Sequence, residues 1–149
     1  MQRLIYTAVF TGKGGPQNPA DPTLWEAHST APSATITTKA GPNGLESKFE
    51  AIGGHEIVFD SEAKFLTDTT LIEWGTISFG PGHTLNFSTV GEGFMGGTVE
   101  PNVTGGCIIW KVEGGTGQFE GASGYITSNF MGNADGSMND YQFGVIFVK

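Results

Sequence analysis

Few residues in this chain carry reactive chemistry, and they are widely spaced. In the segment Thr70–Phe79, Leu71, Glu73, Gly75, Ile77 and Phe79 recur at every second position. Side chains alternate sides along a strand, so these five share one face. Glu73 is the only ionisable group among them. If that face is inward, Glu73 stands among apolar side chains, and burial would raise its pKa by as much as ~3 units. A carboxyl tuned in this way suits general acid or base work. If the other face is inward, Trp74 is the core residue and Glu73 is exposed. The same alternation groups His83 with Leu85 and Phe87, and Tyr141 with Phe143, Val145 and Phe147. Glu73, His83 and Tyr141 are therefore the candidate catalytic residues. Glu73 would move a proton and Tyr141 would hydrogen-bond a developing oxyanion. His83 has the second reading of a residue at a barrel mouth. Trp25, Phe49, Phe87 and Phe143 are the candidate aromatic wall for a substrate.

Other constellations have structural readings. Gly91-Glu92-Gly93-Phe94-Met95-Gly96 spells a dinucleotide fingerprint, but no helix follows to hold a pyrophosphate, so it reads as a glycine-rich corner. Asn133–Asp140 alternates oxygen side chains as calcium loops do, yet lacks the closing glutamate and reads as an Asp-Gly hairpin turn. His28, His55 and His83 form no closely spaced ligand pair, and no metal or other cofactor is expected. Cys107 lies beside Ile108 and Ile109, with no histidine or aspartate near it in sequence. It reads as a small buried hydrophobe.

The elements that would position these groups are strands. Glycine is abundant, with 24 residues beside 11 Phe, and helical periodicity is almost absent. Strands are expected over 3–11, 34–39, 44–52, 56–60, 70–79, 83–90, 106–112, 124–130 and 141–148. Asp21-Pro22 is the one helix-start signal, allowing a turn or two over 22–27. The stretch 12–33 reads as a long loop over a barrel mouth, with Trp25 packed across the opening. The expected fold is all-β: one domain, residues 1–149, a small closed antiparallel barrel of about eight strands in meander order with at most one short helix.

The string Gly115-Thr116-Gly117-Gln118-Phe119-Glu120-Gly121-Ala122-Ser123-Gly124 resembles a stretch of the allene oxide cyclase and dirigent barrels, where it links two late strands. The resemblance implies a small-molecule cavity within the barrel. It implies use without a cofactor, for cyclisation or stereochemical control, and a homodimer or homotrimer. It carries over no catalytic residue. Two functions are thus expected. The first is a cofactor-independent isomerase, cyclase or lyase acting on an apolar oxygenated small molecule. The alternative is a non-catalytic barrel that binds a hydrophobic ligand.

Seven Lys and Arg against 15 Asp and Glu give a net charge of −8, with no basic cluster, so neither nucleic acid nor an anionic membrane surface is an expected partner. No secretory signal pattern or apolar span is legible. With a single cysteine, a reducing, cytoplasmic setting is expected.

Overall fold

The abundance of glycine, β-branched and aromatic residues is realised as eleven strands and no α-helix in the computed structural model, which describes residues 1–149. The strands are β1 (Gln2–Asn18), β2 (Asp21–Ala31), β3 (Ala34–Gly41), β4 (Gly44–Ala51), β5 (Ile57–Phe65), β6 (Thr70–Ser78), β7 (Thr84–Thr89), β8 (Gly93–Gly97), β9 (Val103–Gly115), β10 (Ser123–Asn133) and β11 (Ser137–Val148). Eight of them close an antiparallel barrel in the order β1-β2-β5-β6-β7-β9-β10-β11, with β11 pairing back onto β1. Closure removes the unpaired edges of the sheet. β8 continues the staves between β6 and β9 where β7 ends, pairing Leu71 with Gly93 and Phe94 with Cys107. The glycine-rich corner at 91–96 is thus partly a short strand and not a nucleotide loop. No helix is long and apolar enough to cross a membrane.

Residues 12–33 are not a loop. β1 runs on to Asn18 and turns through Pro19-Ala20 into β2. Pro16 is tolerated because β11 pairs with β1 only as far as Lys13, which leaves Pro16 without a partner on that side. The helix signal at Asp21 is spent on a turn: its Oδ1 accepts hydrogen bonds from the Thr23 amide (3.0 Å) and hydroxyl (2.6 Å). The one helical turn in the chain is a 3₁₀ turn at Gly117–Phe119. It lies in the string that links β9 to β10.

β3 and β4 lie outside the barrel as a separate hairpin with every residue from Thr35 to Ala51 exposed. Its register places Ile36 opposite Phe49 and Ala40 opposite Leu45 on one apolar face. Because the barrel closes without this arm, replacing residues 34–51 by a short glycine turn is expected to change barrel stability by less than about 1 kcal/mol. Urea denaturation of the shortened chain checks this; loss of cooperative unfolding would contradict it.

The core has two zones. At one end Tyr6 packs edge to face on Phe79 (5.1 Å between ring centres) and Phe119 packs tilted against Phe79 (5.2 Å), closing the barrel. In its middle Phe59, Phe87 and Trp110 stack at 4.4–5.5 Å, with Phe10 against Phe59. These aromatic contacts add to the area they bury. Beyond this plug the barrel is hollow.

Candidate functional site

The hollow end is a cavity of about 850 Å³. Its wall is apolar: Trp25, Phe59, Phe65, Leu71, Met95 and Phe130. Trp25 packs edge-on to Phe65 at 5.3 Å and donates its indole N–H to the Pro22 carbonyl (2.8 Å), which fixes it at the rim. Two carboxyls, Glu73 and Asp140, face this wall.

Glu73 is held on one side of β6 by pairing with β5 and on the other by the Thr89 side chain. The register Ala63↔Glu73 and Ser61↔Gly75 runs without a bulge, so Leu71, Glu73 and Ile77 all point inward and Trp74 points out. Ser61 donates to Glu73 Oε1 (2.6 Å). The Thr89 hydroxyl donates to the Glu73 carbonyl (2.7 Å) and lies 2.6 Å from its amide, pinning the backbone. Burial pushes the Glu73 carboxyl up to about 8, opposed by the Ser61 hydroxyl and reinforced by the negative charge of Asp140. The indole N–H of Trp110 also favours the anion, although no hydrogen bond closes and Trp110 Nε1 stays unpartnered.

Asp140 is held by a second network. Ser128 donates to its Oδ1 (2.5 Å) and Gln142 Nε2 to its Oδ2 (2.7 Å), while Tyr6 donates its hydroxyl to Gln142 Oε1 (2.9 Å). Burial pushes Asp140 up to about 6, less far than Glu73 because two donors stabilise its anion. Burial, and then the charge of Asp140, pushes the Tyr6 hydroxyl well above its ordinary range.

Sequence reasoning placed Glu73 in this site and missed Asp140. In β11 the inward set is Asp140, Gln142, Ile146 and Val148. Tyr141 and Phe143 are therefore on the outer surface, each 47% exposed, and neither reaches the cavity. The phase of β11 was set by Gly144, where an added Cβ would lie 2.1 Å from the Tyr6 ring. Gly144 must face inward to leave room for that ring. The outward phase, Tyr141, Phe143, Val145 and Phe147, is the apolar and aromatic one, so hydropathy alone points to it and away from Asp140 and Gln142.

The other candidates disperse. His83 sits at the closed end, where its Nδ1 accepts the Gln118 amide (3.0 Å); it anchors the 3₁₀ turn. Phe87 is buried in the aromatic plug below the cavity, and Phe49 is on the exposed arm. Trp25 alone of the four wall candidates lines the cavity. Cys107 is exposed, a correction to its reading as a buried hydrophobe, because β9 turns Ile108 and Trp110 inward. His28 pairs with Asp60 on the outer surface (2.6 Å), and no three or more His, Cys, Asp or Glu side chains gather to hold a metal ion. The Asn133–Asp140 oxygens are used internally: Asp135 Oδ1 accepts from the Ser137 amide and hydroxyl, and Asn133 Nδ2 donates to Ser137 Oγ.

No family model matches the chain, and no curated protein or solved structure shows detectable similarity to it.

Proposed function

We propose that this barrel is a cofactor-independent acid–base enzyme, an isomerase, cyclase or lyase acting on an apolar oxygenated small molecule held in the cavity. One observation carries this reading: two carboxyls in one cavity, poised at about 8 and about 6. At neutral pH Glu73 is mostly protonated and Asp140 mostly ionised, so one donates a proton while the other accepts one. Asp140 would abstract a proton from carbon next to a carbonyl. Glu73 would hydrogen-bond the developing enolate oxygen and then deliver its proton. The aromatic wall would hold the substrate's conformation. The likeness of residues 115–124 to allene oxide cyclase and dirigent barrels agrees with this reading, and the single cysteine agrees with a cytoplasmic setting. The alternative, a barrel that only binds a hydrophobic ligand, draws on the same wall but leaves the matched carboxyls without a role.

The test is proton exchange. A panel of cyclic and acyclic enones and β-hydroxy ketones is incubated with the protein in heavy water and followed by NMR. Exchange or isomerisation is expected for at least one, reduced at least 100-fold in both Glu73→Gln and Asp140→Asn with the fold intact. Binding without exchange in the wild type would favour the alternative. The rate should rise through pH 6 as Asp140 ionises and fall through pH 8 as Glu73 loses its proton, giving an optimum near 7. A monotonic profile would contradict the assigned roles.

A homodimer or homotrimer belongs to the same proposal. The outer faces of β1, β11 and β10 join Ile5, Tyr125, Phe143 and Phe147 in an exposed apolar flank, with Arg3 beside Phe147 and Lys111 beside Tyr125 at its edges. In a chain of net charge −8, such a flank lets two copies meet without repulsion. Light scattering should give a dimer or trimer mass, and Phe143→Lys should shift it to the monomer. A monomeric wild type at 100 µM, roughly the upper range of a weak homo-oligomer, would rule this out.

A further inference from the structure

The cavity is charged with one sign only. Its lining includes the carboxyls of Glu73 on β6 and Asp140 on β11, with the exposed Glu100 before β9 and Asp135 in the β10–β11 turn, and no Lys, Arg or His. Lys13 acts on Asp135 from outside the rim and lies in a separate outer cleft with Glu26, His28 and Asp60. The remaining group connected to the floor is Tyr6 on β1, reached through Gln142.

A second, independent feature lies at the floor. Glu73 is 9% exposed, and only its Oε1 is hydrogen-bonded. Its Oε2 has no partner in the fold, is not among the fully enclosed unpaired atoms, and belongs to a side chain lining the cavity. A buried carboxylate without a cation is costly, and Asp140 is offset here only by neutral donors. The same cavity is lined by the rings of Trp25, Phe59, Phe65 and Phe130. Carboxylates within an aromatic enclosure suit a ligand cation.

We propose that the ligand of this cavity carries a protonated amine: an organic ammonium ion whose charge seats at Glu73 and Asp140 while its apolar body lies along the aromatic wall. The proposal rests on the reading of this cavity as the working site and narrows its substrate to an oxygenated molecule that also bears a basic nitrogen. Anionic ligands are disfavoured by the ionised Asp140 and by the exposed carboxylates of Glu100 and Asp135. A neutral ligand leaves Asp140 without a countercharge. At pH 7 the ammonium pairs with the ionised Asp140, and Glu73 keeps the proton that it delivers in the catalytic reading.

Matched probes test this by calorimetry at pH 7: phenethylammonium, 2-phenylethanol and 3-phenylpropanoate, with hexylammonium and naphthylethylammonium to vary size. The ammonium is expected to bind at least ten-fold more tightly than the alcohol, and the carboxylate not at all. Lowering the pH to 5 should weaken ammonium binding at least ten-fold and leave the alcohol unchanged. The double variant Glu73→Gln/Asp140→Asn should bind alcohol and ammonium alike. Should that variant fail to fold, the wild-type pH series decides alone. Equal or tighter binding of the alcohol, binding of the carboxylate, or no binding by any ammonium overturns the proposal. Failure here is separable from failure of the catalytic reading. An alcohol-selective cavity that still exchanges protons through Glu73 overturns only the amine. Ammonium binding with no exchange overturns only the catalysis.

Discussion

Glu73→Gln is expected to stabilise the fold by roughly 3–5 kcal/mol at pH 8 and to leave it nearly unchanged at pH 4. In the unfolded chain Glu73 titrates near its ordinary 4.5; in the barrel it is pushed up to about 8. Between these values the folded state keeps a proton that the unfolded state has released. Rising pH therefore favours unfolding across that window, and the stability present below pH 4.5 is lost as pH climbs through 8. Asp140, raised from 3.8 to about 6, adds a smaller loss between those two values. Glutamine keeps the shape and still accepts from Ser61, but cannot ionise. Its pH–stability curve should flatten above pH 6, and adding Asp140→Asn should flatten the acid side. Urea denaturation at pH 4, 6 and 8 reads this directly. Equal stability of variant and wild type at pH 8 would mean that Glu73 is not desolvated, and the acid–base reading would lose its donor.

The second large effect is expected at Gly75. A Cβ there would lie 2.1 Å from the Asp60 carbonyl oxygen and 2.8 Å from Ser61 Cα. Both are backbone atoms of the paired strand, so no rotamer relieves the clash. β5 and β6 would have to part at the point where Ser61 meets Glu73. Gly75→Ala should therefore cost about 3 kcal/mol or more, the range of severe overpacking. Gly15→Ala is the control, since nothing lies within 4 Å of its added Cβ. That substitution should stay within about 0.5 kcal/mol. Thermal melts of the two variants are compared. If Gly75→Ala melts with the wild type, the strand contact is looser than the close approach implies, and Glu73 is less firmly placed than the site requires.

Strand identity was legible because the signal is local. Alternation in 70–79 and 83–90, with Gly-Pro-Gly between them, defines a hairpin whatever the rest of the chain does. The hairpin at 34–51 was legible for the same reason. That it stands outside the barrel was not, because an alternating strand carries no mark of which sheet it will join. The stretch 12–33 misled because Pro and Gly break isolated strands but are tolerated where one side of the strand lacks a partner. Asp21-Pro22 is a helix start and equally a turn; only its pairing partner decides between them.

The sequence by itself determined an all-β meander, its hairpin turns at 41–44 and 80–82, and the shared face of Leu71, Glu73 and Ile77. All of these follow from the period of two and from residues with special backbone freedom, which act within a few positions. Tertiary structure alone decided the phase of β11. Gly144 faces Tyr6, a residue 138 positions away in sequence, and that contact turned Asp140 inward and Tyr141 outward. It also decided that two carboxyls from distant strands share one cavity. Their pKa values are consequences of that meeting. The desolvation of both carboxyls, and the effect of the Asp140 charge on Glu73, exist only once the barrel has closed around them.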